Sequence, residues 1–221
     1  MTEPREIPLF PLNTVLFPGM TLALHIFEER YKLMIGECLQ DTQPFGIVLI
    51  RSGSEVGPSA DFHLVGTTAH ITQVERLPDG RMNIVTLGYR RFKIHEVRHD
   101  RPYLVGLVED FPLQSTDNVL SQPLVHDLSL MLQRYLDIFA KLGKVDLHMT
   151  ELPKDAETLA FLIAIVLRTP MKDKQDLLSA ADVLSLLKLE RRMLRREAQI
   201  LKLLIENGLR WRDDPKPFSV N

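Results

Sequence analysis

The chain has 221 residues, 45% hydrophobic and 25% charged, with a formal net charge of −2 from 27 basic and 29 acidic residues. This is the composition of a globular chain with a real core, and its charge balance argues against a bulk electrostatic grip on nucleic acid or an anionic membrane. The single cysteine, Cys38, excludes an intrachain disulfide or a cysteine-rich zinc site and points to a reducing, cytoplasmic setting; no apolar run reaches the roughly 18 residues of a membrane span, and the opening MTEPREIPLFPLN lacks the pattern of a signal peptide.

Glycine and periodicity divide the chain. Nine of the eleven glycines lie at or before Gly106, where turns and bulges would use them. Residues 1–115 read as a strand-rich subdomain, 116–208 as a helical bundle and 209–221 as an extended tail. Charge does not mark the division: 11 basic and 14 acidic residues precede residue 116, and 16 and 15 follow.

In chain order, Arg5–Leu9 is a short extended run. Pro8 and Pro11 predict an edge piece or irregular ribbon. Phe17-Pro18-Gly19 is a turn, and Leu22, Leu24 and Ile26 alternate as a strand. Tyr31, Met34, Ile35, Cys38 and Leu39 then fall on one face of a helix spanning about residues 28–40. Phe45–Ile50 is an apolar strand and residues 51–61 a loop. Leu64–Leu77 and Met82–Val97 are long strands joined by the turn Pro78-Asp79-Gly80. Around Gly88 the apolar set changes from Val85, Leu87 and Tyr89 to Phe92 and Ile94, which predicts a bulge. Tyr103, Val105 and Leu107 continue the sheet. About six strands and one early helix predict a small, partly closed barrel.

The second part predicts helices over 120–142, 156–167, 172–178 and 180–207, the last stopped by Gly208. Leu184, Leu187, Arg191, Leu194, Ala198, Leu201 and Ile205 step alternately by three and four along the last helix. The stripe suits packing within the bundle or a coiled-coil contact between copies.

Pro8-Leu-Phe-Pro-Leu12, Val15-Leu-Phe-Pro-Gly19, Leu24-His-Ile-Phe-Glu28 with Arg30-Tyr31, Phe45-Gly-Ile-Val48, Val65-Gly66, Leu77-Pro-Asp-Gly-Arg81, Gly88-Tyr-Arg-Arg-Phe92 and Tyr103-Leu-Val105 follow one another in order. Together they resemble the N-terminal, substrate-recognition domain of Lon proteases. The resemblance covers residues 5–115 closely. It continues more loosely to about Leu204, where Lys174-Gln-Asp-Leu-Leu178 is similar to the family's short helix. It implies an α+β fold, a PUA-like β-barrel followed by a helical bundle. No G-x-x-x-x-G-K-[ST] loop for a nucleotide phosphate is present. With the chain stopping at Asn221, a stand-alone version of that domain is expected, without ATPase or peptidase modules.

Other motifs carry less. Gly57-Pro58-Ser59-Ala60 echoes the Lon peptidase serine but lies in a loop of the barrel without a positioned base. His95 and His99 have helical ligand spacing, but on a strand they stand roughly 13 Å apart. Lys188, Arg191, Arg192, Arg195 and Arg196 crowd two turns of the last helix; Glu190 and Glu197 dilute what reads as a solvated face. No cofactor and no metal are expected.

The expected function is non-enzymatic binding of unfolded or flexible polypeptides. Candidate contacts are Phe10 and Phe17 on the proline-rich runs and the groove formers Phe27, Glu28, Arg30 and Tyr31. Phe27 and Tyr31 suit the core equally well, with Arg30 paired to a carboxylate. Arg191, Arg192, Arg195 and Arg196 are candidates for docking on a protease or another protein complex. An RNA-binding module is the other alternative, with nucleic acid disfavoured by charge and sparse aromatics. The long helix leaves an oligomer open.

Overall fold

The computed structural model describes residues 3–52, 61–115, 118–143, 152–206 and 219–220. Two compact units result: Met1–Pro112 with Lys216–Asn221, and Leu113–Pro215.

The first unit contains β1 (Arg5–Leu12), β2 (Thr21–Ile26), α1 (Glu29–Asp41), β3 (Phe45–Ser52), β4 (Asp61–Phe62), β5 (Val65–Arg76), β6 (Met82–Arg98), β7 (Leu104–Asp110) and β8 (Ser219–Val220). Strands β1, β3, β5, β6 and β7 pair in a closed ring, parallel between β1 and β3 and antiparallel elsewhere. The N-terminal half of β6 also pairs with β2, and β2 with β8.

The prolines of β1 do not push it to an edge; it lies between β3 and β7. Residues Arg5–Leu9 pair with β7 and Leu9–Leu12 with β3, so the partner changes at Leu9. Pro8 has a ladder partner only in β7 and Pro11 only in β3. Each proline is therefore left a side on which no donor is required.

Two apolar clusters sit on either side of these strands. Ile7, Leu9, Val48, Phe92, Ile94 and Val108 fill one. The other gathers Phe10, Leu12, Leu24, Phe45, Ile47 and Ile84 against the α1 face of Tyr31, Met34, Ile35 and Cys38. The period-3.6 stripe of the sequence is thus the face that α1 buries.

The bulge near Gly88 is present, displaced by one residue. Gly88 stays opposite Ala69, whereas Thr67 is opposite Arg91, so Tyr89 and Arg90 together oppose Thr68. Thr68 Oγ1 closes the gap, accepting from Arg90 N–H and donating to the Arg90 carbonyl, both at 3.1 Å. The inward set of β6 is Met82, Ile84, Thr86 and Gly88. Val85, Leu87 and Tyr89, the apolar residues that drew the eye in the sequence, point outward.

The second unit contains α2 (Asn118–Gly143), α3 (Ala156–Val166), α4 (Met171–Leu178) and α5 (Val183–Glu206). Asp155 caps α3 by accepting from Thr158 N–H at 2.9 Å, and Asp182 caps α5 from Ser185 N–H at 2.8 Å. Helix α5, about 36 Å long, packs on α2, α3 and α4. Its buried face is Val183, Leu186, Leu187, Glu190, Met193, Leu194, Glu197 and Leu201, a broader band than the heptad stripe. Glu190 and Glu197 lie on that band, not on the solvated face assigned from sequence. Among the described residues no helix is long and apolar enough to cross a membrane.

Candidate functional site

Strand β2 and the start of α1 bring most of the sequence-predicted residues into one neighbourhood. Tyr31 stacks on Phe10 with ring centroids 4.0 Å apart. The Arg30 guanidinium lies over the other part of this stack, 4.5 Å from the Tyr31 centroid. Arg30 Nε in turn donates to Glu28 Oε2 at 2.9 Å. Phe10, Tyr31, Arg30 and Glu28 are therefore one series running from core to rim. Glu28 precedes α1 as its N-cap but makes no side-chain cap; its carboxylate is held by Arg30 instead.

Phe10, Phe17 and Tyr31 are buried, which corrects their assignment as direct contacts for a client. Their aromatic area is used by the core. Phe10 and Tyr31 position Arg30, and Phe17 carries a turn whose carbonyl accepts from Met20 N–H at 3.0 Å. Phe27, half-buried, reaches the rim and stacks on His25 at 6.1 Å.

The outward face of β2, β6 and β5 is the part that sequence reasoning missed. Opposite residues place Thr21, Leu87 and His70 in one row, Ala23, Val85 and Gln73 in the next, and His25, Asn83 and Glu75 in a third. Leu87 is 37% exposed and Tyr89 53% exposed. Tyr89 meets the edge of His70 at 5.2 Å and carries the Arg90 guanidinium at 5.0 Å. The third row is polar and mutually bonded: His25 Nδ1 and Asn83 Oδ1 are 2.7 Å apart, and Asn83 Nδ2 donates to Glu75 Oε2 at 2.8 Å. An apolar strip thus ends in a fixed polar row. The alternation of β6 contains this signal, since Val85, Leu87 and Tyr89 share one side of the strand, but alternation alone does not tell the outer side from the core side.

A cleft of about 250 Å³ opens elsewhere on this unit. Glu6, Glu37 and Asp41 line it with Arg101 and Tyr103. Arg101 Nη1 bonds both Glu37 at 3.0 Å and the Tyr103 hydroxyl at 2.7 Å, so its cation is already engaged. Cys38 also borders the cleft; burial, then Glu37 and Asp41, push its thiol up to about 11. It is a thiol at neutral pH, not a nucleophile. Among the described residues no three His, Cys, Asp or Glu side chains come together as a metal site. His95 pairs instead with Glu109 at 3.1 Å. The Gly57–Ala60 motif lies outside the described residues.

In the helical unit the four arginines separate. Arg191 pairs with Asp127 of α2 at 2.8 Å, and Arg196 with Asp173 of α4 at 2.6 Å. The Arg196 hydrogen bond, then that from Thr169, holds the Asp173 carboxyl below its ordinary range. Arg192 and Arg195 are exposed.

Comparison with known proteins agrees with this architecture. Residues 6–196 match the family model of the ATP-dependent protease La (LON) substrate-binding domain. Lon protease 2 of Myxococcus xanthus is 30% identical over 205 residues, 90% of this chain and 24% of that protein. Lon protease of Anaeromyxobacter dehalogenans is 29% identical over 203 residues, with the same coverage of each. The chain thus spans about a quarter of the length of these relatives. A Lon N-terminal domain protein from Xanthomonas campestris superposes with a TM-score of 0.59 at 25% identity, covering 81% of this chain and 92% of that one. The N-terminal domain of a Mycobacterium avium complex Lon protease shares the fold, with a TM-score of 0.63 at 17% identity over 86% and 98%. An α+β chain with this barrel, this helical unit and this match over most of its length belongs to the Lon substrate-binding domain family.

Proposed function

We propose that the chain is a non-enzymatic, cytoplasmic module that binds unfolded or flexible polypeptides. The observation that carries this reading is the outward strip of Val85, Leu87 and Tyr89 beside β2. Apolar side chains held on a rigid sheet, next to a strand with spare main-chain groups, suit a client of variable sequence. The matched family, a substrate-binding domain, supports the same reading. The polar row of His25, Asn83 and Glu75 bounds the strip and would orient a client main chain. A flexible client loses chain entropy on docking, so affinity of order 10 μM or weaker is expected.

The test is a titration of a labelled denatured protein and a labelled single-stranded RNA at two salt concentrations. Apolar binding changes little with salt, whereas RNA binding weakens steeply. Salt-sensitive RNA binding without polypeptide binding would reverse the reading.

A second reading, an adaptor docking on a protease or other complex, is favoured by α5. Arg192 and Arg195 are exposed there, and Ile200 and Leu203 are 43% and 57% exposed. Reversing Arg192 and Arg195 to Glu would release a stable partner under this reading and leave denatured-protein binding intact.

A further inference from the structure

Each of the five ring strands is paired on both sides within the ring, whereas β2, outside it, has only the two-residue β8 on the side away from β6. One side of β2 is paired with β6 along its whole length, Thr21–Ile26. On its other side only Leu24 and His25 have strand partners, and these belong to the chain's own distant segment: Leu24 is opposite Ser219 and His25 opposite Val220, in parallel. Thr21, Leu22, Ala23 and Ile26 have no strand opposite them on that side among the described residues. An edge so exposed is a template for another strand. It also borders the outward apolar strip, since Thr21 and Ala23 lie directly beside Leu87 and Val85.

We propose that the free side of β2 is where an extended client segment adds as a parallel strand, and that Ser219–Val220 is an internal competitor for the same place. This rests on the polypeptide-binding reading above. Main-chain bonds to β2 supply sequence-tolerant attachment, and the adjoining Val85–Leu87–Tyr89 strip favours segments with apolar side chains. The two-residue β8 ladder is short, so a client able to pair with more of Thr21–Ile26 displaces it. Because β8 is tethered, it competes at a fixed effective concentration, and clients bind more weakly than they would to a bare edge. The same contact protects the edge from pairing with a second copy while no client is present.

The experiment compares the full chain with two variants, using fluorescein-labelled β-casein as the probe. Ser219→Pro with Val220→Pro removes the donors of β8. Casein affinity is expected to rise roughly three- to tenfold, and hydrogen exchange at the β2 amides to accelerate in the absence of casein. His25→Cys with Val220→Cys, at directly opposed positions, locks β8 in place when oxidised. The bridged form is expected to bind casein at least about tenfold more weakly than the reduced form of the same variant, a comparison in which the loss of His25 cancels. Unchanged β2 exchange and unchanged casein affinity in the proline variant, with equal binding by the bridged and reduced forms, would overturn the inference while leaving the polypeptide-binding reading standing. Failure of all forms, the parent chain included, to bind casein would overturn both.

Discussion

Gly19 donates its N–H to the Gly88 carbonyl at 2.9 Å, and the Phe17 carbonyl occupies the space that a side chain on residue 88 would need. Gly88 N–H closes the arrangement by donating to the Met20 carbonyl at 2.8 Å. Glycine is therefore required at 88 for close approach of two backbones. The bulge that follows it is carried by Tyr89 and Arg90. A Cβ at 88 would press on main-chain atoms, which cannot swing aside as a side-chain tip can. Gly88→Val is expected to destabilise the barrel by about 1–3 kcal/mol. Chemical denaturation checks this, and an unchanged midpoint would show that the Phe17 turn yields freely.

Glu190 is fully buried, and neither carboxylate oxygen has a hydrogen-bond partner among the described residues. Desolvation raises its carboxyl well above the ordinary value. The folded state keeps this proton at pH values where the unfolded chain has released it. Stability then falls as pH rises from the unfolded carboxyl value toward the folded one. Glu190→Met is expected to raise stability at neutral pH by about 1–3 kcal/mol and to flatten that slope. Parallel melts of parent and variant at pH 4.5, 6 and 7.5 measure both effects.

Lys174 titrates in the opposite sense. Burial, then Arg168, lowers its ammonium to about 8, while its Nζ donates to the Ile165 carbonyl at 3.1 Å. Between about 8 and the unfolded value the unfolded chain binds the extra proton, so this group makes stability rise with pH. Lys174→Met should abolish the rise across pH 8–10 and leave the acid limb set by Glu190 in place. A difference curve between parent and variant that stayed flat over that window would contradict the assignment.

Leu87→Ser with Tyr89→Ser tests the outward strip. Both side chains are exposed, so stability should change by less than about 1 kcal/mol. Affinity for a denatured model protein should fall by roughly tenfold, equivalent to about 1.4 kcal/mol of lost apolar contact. Binding equal to the parent would place the client surface elsewhere.

The elements themselves were largely legible. The Tyr31–Leu39 stripe and the Pro78–Gly80 turn depend on neighbours close in sequence, and periodicity reports those directly. The faces were harder to read. Alternation along β6 shows that Val85, Leu87 and Tyr89 share a side, but only the pairing of Gly88 with the Phe17 turn makes the opposite side the inner one. Burial of Phe10 and Phe17 was hidden for a related reason. Prolines suggested an irregular margin, whereas β1 changes partner at Leu9 and accommodates both of them inside the ring. Glu190 was misread because a charged residue beside arginines looks solvated until packing shows which way it turns.

The change of partner at Leu9 also sets an order of events during synthesis. Leu9 pairs with Leu104, about 95 residues downstream, so the ring cannot close until β7 has been made. At ~5–20 residues per second, the interval is about 5–20 s. For that time the Arg5–Leu9 half of β1 presents apolar residues and unmatched main-chain groups on a nascent chain. The barrel thus spends the first part of its own synthesis as an open chain, with its first strand waiting for its second neighbour.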